Sequence, residues 1–412
     1  MIRSTRINPG LDWFDRWPIS VGCPARKVEP DLVFFGGLIP LDPGGEMIGV
    51  GNVQEQARYV FSKMKECVEA AGGTVDDIIE VQTFHKDVRQ IPRVLEVGKE
   101  FFSRSKPTWS AVGTSGLYNA KADISVSGLA VLNAKTRDIN PGLNWYNKAP
   151  WDVAVPCKVA NDLLVIGQMS GIDEQGNVVG SGDMAAQTSY TLRKIKECVE
   201  QAGGTTDNLM DFLGYTTDQR NQIYQLTALD DFVVKDPRSG PKRSEHLACT
   251  TITMPGLWHP DILGQMHIYG VLGNKTQVNL GEWVTWHDFY PVDMAPYAVK
   301  VGRYVFVSGA VMFDQLFNEP TLEEDFPSIR KQARWAFQEY QRFLKTIGAN
   351  MDNVVFIQPY APVQFQEPIM EVAREFFHNE QPVWNPVGHR GLFLPNHLCE
   401  IYGMAIVDET LP

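Results

Sequence analysis

The sequence predicts an α+β protein built from three tandem copies of one domain. Residues 65–74 return almost letter for letter as residues 196–205, at an offset of 131 positions. A more diverged third version occupies residues 342–350. An offset of this length matches one compact domain and is far longer than a solenoid unit. Three such copies account for the 412 residues of the chain.

Composition restricts the class of protein. Hydrophobic residues make up 44% of the chain and charged residues 21%, which is typical of a soluble globular protein with several cores. The net charge of −12 argues against a nucleic-acid partner. No apolar run is long enough to cross a bilayer, and the first residues lack the apolar core of a signal peptide. We therefore expect a cytoplasmic protein with no membrane and no nucleic-acid partner.

No sequence motif indicates a metal or a cofactor. The six cysteines contain no CxxC pair, and the histidines form neither HxH nor HExxH. A phosphate-binding loop, a dinucleotide fingerprint and a GxSxG elbow are also missing. We expect reduced thiols, no metal and no cofactor, with a small molecule as the substrate.

The elements follow the same order in each copy. Turn residues and an aromatic residue come first, then a strand that ends in glycine, at 32–36, 163–167 and 304–309. A long amphipathic helix follows, and in the first copy Gly72 and Gly73 end it. A strand, a second helix and two strands complete the unit, with a hairpin at its front. This order predicts a sheet with helices on one face.

The copies also end alike, because residues 131–136 match residues 271–276. We therefore predict domain boundaries just after Thr136 and Thr276. The predicted domains are residues 1–136, 137–276 and 277–412.

Several short motifs together carry a family resemblance. They are the run 295–309, Gln332 near the start of a helix, the Gly348 turn with Asp352, and Phe376 and Phe377 before the run 381–384. This pattern resembles the RidA (YjgF-like) reactive-intermediate deaminase family. The resemblance implies a chorismate-mutase-like fold and sites in clefts between subunits of a trimer. One chain is then expected to form its own pseudo-trimer, as the related chorismatases do, and to be a monomer or a homodimer.

In that family an arginine binds the substrate carboxylate. The spacing within each copy places Trp109, Cys249 and Trp384 at this position. A guanidinium fork is difficult to replace in bidentate carboxylate binding. The usual 2-imino acid substrate is therefore not expected.

The resemblance also implies a glutamate on the last strand that holds the attacking water. The same spacing places Ser125, Gln265 and Glu400 there, so the third copy alone keeps the acid. One carboxyl of raised pKa in a partly dry cleft can take a proton from water and give one to the leaving amine. Glu400 is therefore our candidate general acid/base. The alternative is a solvated or ion-paired strand glutamate.

The residues predicted to contact the substrate are Trp109, Gln265, His267, Tyr297, Trp384, Arg390 and Tyr402. Strand alternation puts Trp384 and Arg390 on one face, and Glu400 and Tyr402 on one face of what we take to be the next strand. Arg390 then serves as a displaced anion clamp for a substrate that lies on Trp384, and Tyr297 also contacts it. The alternative is that the tryptophans at 109 and 384 plug clefts that have lost their function.

The second copy offers a different arrangement. Cys249 is predicted to lie beside Gln265 and His267 on a neighbouring strand, and a cysteine within reach of a histidine can form a thiolate nucleophile. The alternative is a buried, inert cysteine.

These observations favour a hydrolase or deaminase that cleaves a C–N bond in an enamine or imine of a small anionic or aromatic metabolite. Two alternatives remain open, a non-catalytic small-molecule binder and a chorismatase-like enzyme. Whether Glu400 faces a cleft separates the enzymes from the binder. The acidic balance disfavours an endoribonuclease.

Overall fold

The computed structural model describes residues 3–16, 18–235, 247–273, 276–285, 293–312, 328–393 and 397–411. It contains three six-stranded sheets, one per copy. The first sheet consists of β1 (Ser4–Ile7), β2 (Ala25–Val28), β3 (Leu32–Leu38), β4 (Ile78–His85), β5 (Thr108–Gly113) and β6 (Ile124–Val131). The second consists of β7 (Thr136–Ile139), β8 (Cys157–Ala160), β9 (Leu163–Ser170), β10 (Leu209–Thr216), β11 (Ala248–Thr253) and β12 (Gly264–Val271). The third consists of β13 (Gln277–Thr285), β14 (Asp293–Val301), β15 (Tyr304–Ala310), β16 (Val354–Tyr360), β17 (Val383–Trp384) and β18 (Glu400–Ile406).

The helices among these residues come in pairs, one pair per copy. They are α1 (Val53–Ala70) and α2 (Ile91–Gly98), α3 (Met184–Gln201) and α4 (Gln222–Lys235), and α5 (Ile329–Thr346) and α6 (Gln366–Ala373). No helix in the described ranges is both long and apolar enough to span a bilayer.

The three sheets share one strand order. It is β1-β2-β3-β6-β4-β5 in the first copy, and the other two repeat it as β7-β8-β9-β12-β10-β11 and β13-β14-β15-β18-β16-β17. Only the last pair in each order is parallel, with α2, α4 or α6 preceding its second strand. The predicted class, three tandem α+β domains, is confirmed. The boundaries after Thr136 and Thr276 stay predictions; the second and third sheets begin at Thr136 and Gln277.

The long helices form for the reasons that the sequence indicates. The Asn52 side chain accepts a hydrogen bond from the Glu55 N–H at the start of α1, and Asp183 and Ser328 cap α3 and α5 in the same way. The buried face of α1 packs on the sheet. Gly72, at φ +90°, follows the end of the helix in the left-handed region.

The copies contact one another in a cycle. Strand β5 packs against β9, β11 against β15, and β17 against β3. We call these contacts the first, second and third junction. Equivalent backbone hydrogen bonds mark them: Gly113 N to Gly256 O (2.9 Å), Thr253 N to Gly391 O (2.9 Å) and Gly388 N to Gly116 O (3.2 Å). The three junctions can therefore be compared residue by residue.

Candidate active site at the second junction

Glu400 lies at the second junction. It begins β18 opposite Tyr360 of β16, and its side chain reaches toward the second copy, where the Thr251 N–H donates a hydrogen bond to its carboxyl. The carboxyl rests on Gly309 of β15, and a Cβ at that position would collide with Oε1. Glu400 is only 6% exposed. Its position therefore depends on a glycine in its own copy and a backbone donor in the next.

The surroundings of Glu400 favour its neutral form. Burial raises the pKa of Glu400 to about 8, and the hydrogen bond from Thr251 offsets only part of that effect. Most molecules at neutral pH therefore carry a proton on this carboxyl. A neutral carboxyl can donate a proton to a substrate and then accept one from water.

Cys249 lies in the same junction. Its N–H donates to the Ser308 hydroxyl across the interface at 3.0 Å. Burial, then the nearby carboxyls of Glu400 and Asp211, raise the pKa of its thiol well above the ordinary value. The thiol is therefore protonated at neutral pH, which disfavours a thiolate nucleophile.

The first junction is filled where the second holds Glu400. Trp109 is fully buried and stands edge-on to Phe61 at 5.6 Å between ring centroids, while its indole N–H donates to Thr83 Oγ1 at 3.0 Å. Gln168, which aligns with Gly309, accepts a hydrogen bond from Ala111 N at 2.9 Å. Ala111 aligns with Thr251, so the Gln168 amide accepts the backbone hydrogen bond that Glu400 accepts at the second junction. Gln265, which aligns with Glu400, is buried, and its amide has no hydrogen-bond partner among the residues that the structure describes.

The third junction is filled as well. Trp384 is fully buried, close to Gly22 and Gly37 of the first copy. The Asn385 side chain accepts from Gly37 N at 3.0 Å and donates to Ser127 Oγ at 3.1 Å. Both tryptophan side chains are therefore buried and closely packed. Whether they fill clefts that have lost their function stays a prediction.

Two pairs of strands that the sequence analysis takes to be adjacent are not adjacent in the structure. Strand β10 lies between β11 and β12, so Cys249 and His267 are not on adjacent strands. The His267 ring instead places Nε2 2.8 Å from Glu80 Oε1 of the first copy. Likewise β16 separates β17 from β18, and Trp384 faces the first copy whereas Glu400 faces the second. In each copy the helix α2, α4 or α6 leads to a strand at the edge of the sheet, and the last strand of the copy pairs on the other side of the preceding strand.

The remaining predicted residues fall in three places. Arg390 lies at the second junction, where its N–H donates to Thr253 O at 2.8 Å and its side chain is exposed. The Tyr402 hydroxyl is buried and donates to Asp211 Oδ2 of the second copy at 2.6 Å. Tyr297 is part of β14, but its side chain lies outside the described residues.

A buried polar cluster joins all three copies. It consists of Glu80, Asp211, His267, Tyr269 and Tyr402. Burial raises the pKa of Glu80, but the charge on His267 and the neighbouring hydrogen bonds outweigh this effect and lower it. Burial raises the pKa of Asp211 to about 7, and the Tyr402 hydroxyl counteracts part of this rise. The cluster links the sheets through polar contacts as well as apolar packing.

Sequence reasoning missed Thr251, Ser308 and Gly309. The difference between Gly309 and Gln168 at the end of equivalent strands was the available signal. Within the described ranges, no group of three or more His, Cys, Asp or Glu side chains is placed to hold a metal ion.

Comparisons with known proteins agree with the repeated fold. The sequence model of the endoribonuclease L-PSP family matches residues 25–132 and 291–407, more than half of the chain. A RutC family protein of Pyrococcus horikoshii is 37% identical over 87 residues, which are 21% of this chain and 69% of that protein. A 2-iminobutanoate/2-iminopropanoate deaminase of Dermatophagoides farinae is 31% identical over 109 residues, 26% of this chain and 85% of that protein. The crystal structure of a chorismatase superimposes on this chain with a TM-score of 0.51 and 12% sequence identity. The match covers 80% of this chain and 93% of the chorismatase chain, and it shows a similarity of fold alone.

Proposed function

Because the chain belongs to the endoribonuclease L-PSP family, which includes the RidA-like proteins, we propose that it hydrolyses the C–N bond of a small imine or enamine. The reaction takes place at the second junction of an intramolecular pseudo-trimer. The observation that carries this proposal is the Glu400 carboxyl, which is buried, held by Thr251 and largely protonated at neutral pH. Ser125 and Gln265 at the equivalent positions have no carboxyl.

One carboxyl is sufficient for the proton transfers. Neutral Glu400 donates its proton to the imine nitrogen, or to the β-carbon of an enamine, and an iminium ion forms. The resulting carboxylate takes a proton from the water that attacks the iminium carbon, which gives a neutral carbinolamine. Glu400 then returns that proton to the amine nitrogen, the C–N bond breaks, and a carbonyl compound and ammonia leave. As the C–N bond breaks, the carbinolamine hydroxyl gives its proton to the Glu400 carboxylate and ammonia leaves in its neutral form. Glu400 is therefore protonated again at the end of the cycle.

The substrate differs from a simple 2-imino acid in this proposal. The deaminase of Dermatophagoides farinae is named for 2-imino acids. In this chain Trp109, Cys249 and Trp384 stand where the resemblance places the carboxylate-binding arginine. We therefore infer a larger anionic or aromatic substrate, with Cys249 among the residues that line the cleft. A monomer or homodimer in the cytoplasm remains our expectation from the sequence.

The test is ammonia release from a panel of imines and enamines generated in solution. Wild type is compared with Glu400→Gln, which is isosteric and should fold because Gln265 stands at the equivalent position. We expect a decrease of about 100-fold or more in the variant, as is usual when a general acid/base is lost. The matched control Ser125→Ala alters the same position of the first copy and should retain full activity. Undiminished turnover in Glu400→Gln would contradict the proposal.

A chorismatase-like reaction is the second candidate. The similarity in fold to a chorismatase over 80% of this chain favours it. Chorismate consumption measured with the same variants distinguishes it from deamination. A chain that binds panel compounds without turning over any of them, chorismate included, is a non-catalytic binder.

A further inference from the structure

The outer end of the second junction contains a cavity of about 260 Å³. Asp218, Gln219 and Arg220 of the second copy line one side, and Arg390 and Gly391 of the third copy line the other. Thr253 lies between them at the end of β11. Nothing in the proposed reaction uses these side chains.

The equivalent space is filled at the other two junctions. Gln219, Val88 and Val363 are each the first residue of the 3₁₀ turn that precedes α4, α2 and α6. Val88 packs against Gly113 and Gly256, and Val363 lies in tight contact with Gly116. The Gln219 amide instead extends across the junction and donates to Phe393 O at 2.8 Å. Gln219 is thus a polar residue of the cavity lining at a position where the other two junctions have a packed valine.

A free guanidinium distinguishes the cavity further. Gly116, Gly256 and Gly391 occupy equivalent positions at the three junctions. The residue before each of them is Ser115, Pro255 and Arg390, respectively. The Arg390 guanidinium makes no hydrogen bond or ion pair with any residue that the structure describes. Arg220 is held by both Asp218 oxygens, with Nε to Oδ1 at 3.0 Å and Nη2 to Oδ2 at 2.5 Å.

The charges in the cavity favour an anion. Hydrogen bonds from Arg220, with the nearby charge of Arg390, lower the pKa of Asp218 to about 2, so it stays ionised. Two guanidinium groups against one carboxylate leave a net positive charge, in a chain whose net charge is −12. Asp218 is already engaged by Arg220, so the planar fork of Arg390 is available for two parallel hydrogen bonds to an oxyanion.

We propose that this cavity binds a small oxyanion, a phosphate or a carboxylate group, through Arg390. A volume of about 260 Å³ accommodates inorganic phosphate or a small polycarboxylate, and it falls just below the usual range for drug-sized ligands. The sequence predicts Arg390 as an anion clamp for a deamination substrate that lies on Trp384, but Trp384 faces the first copy. The oxyanion site is therefore proposed separately from the deamination.

The experiment is titration calorimetry of the full chain at low ionic strength, with inorganic phosphate and citrate in separate titrations. Three variants are compared with wild type. Arg390→Ser and Gln219→Val each introduce the residue of an equivalent position, so both should fold, and thermal melting verifies this. Arg89→Ser is the matched control, because Arg89 pairs with Asp87 in the first copy as Arg220 pairs with Asp218 in the second.

We expect saturable binding of at least one anion to wild type, weakened about tenfold or more by Arg390→Ser and by Gln219→Val and unchanged by Arg89→Ser. Tighter binding of phosphate would identify a phosphoryl ligand, and tighter binding of citrate a carboxylate ligand. No saturable binding of either anion to wild type would overturn the proposal. Equal affinity in wild type and folded Arg390→Ser would also overturn it.

Discussion

The second junction differs from the first and third at equivalent positions. Where Trp109 and Trp384 fill the other junctions, the second has Cys249. At the first junction the Ala111 N–H donates a hydrogen bond to the Gln168 side chain. At the second junction Gly309 aligns with Gln168, and the equivalent Thr251 N–H donates to Glu400 instead. Equivalent positions therefore carry packed side chains at the first and third junctions and a buried carboxyl at the second.

The largest expected effect is a loss of stability when the buried Trp109 side chain is truncated. Trp109→Ala should lower the free energy of unfolding by about 3–5 kcal/mol, because a fully buried indole is replaced by a cavity. Urea denaturation measures this change. Activity per folded molecule should stay at the wild-type level. A variant that keeps its stability and loses activity would restore Trp109 as a substrate-binding residue.

The next effect comes from making the second junction resemble the first. Gly309→Gln introduces the residue of the second copy, and its Cβ displaces the Glu400 carboxyl. We expect ammonia release to fall by about 100-fold, the usual contribution of a placed acid/base. The reciprocal variant Gln168→Gly alters the first junction and should leave the rate unchanged. Equal losses in both variants would contradict the difference between the junctions.

The stability of the protein should depend on the protonation of Glu400. The folded state keeps this proton up to about pH 8, whereas the unfolded chain releases it near the ordinary pKa of 4.5. Rising pH therefore destabilises wild type between these values, because the unfolded state binds fewer protons. Glu400→Gln removes this penalty, so its advantage in unfolding free energy should grow over that interval to roughly a few kcal/mol. Denaturation at about pH 5 and about pH 8 measures it. The exposed substitution Glu46→Gln is the control, and an equal change there would contradict the assignment.

The smallest effect is expected at Cys249. Its thiol is protonated, so Cys249→Ser should change the rate by no more than about threefold and cost about 1 kcal/mol for the buried hydroxyl. Steady-state rates and melting temperatures measure both changes. A loss as large as that of Glu400→Gln would return the thiol to the mechanism.

Local patterns and the repeat were sufficient to predict the copies and the order of their elements, whereas the choice of Glu400 came from the family resemblance and stays a prediction. Strand neighbours were not predictable in the same way. A crossover helix makes the last two strands of each copy non-adjacent, and this separates Cys249 from His267 and Trp384 from Glu400. Contacts between copies, such as Thr251 with Glu400 or Tyr402 with Asp211, depend on the cyclic assembly. No single copy contains that information.

The most direct test is a carbon-13 NMR titration of the Glu400 side-chain carboxyl, assigned by the difference between labelled wild type and Glu400→Gln. It requires no substrate, and it measures whether the second junction keeps the carboxyl in a dry environment. The structure predicts a midpoint at about pH 8. A midpoint near the ordinary value of 4.5 would show a solvated carboxylate and contradict the distinction between the second junction and the other two.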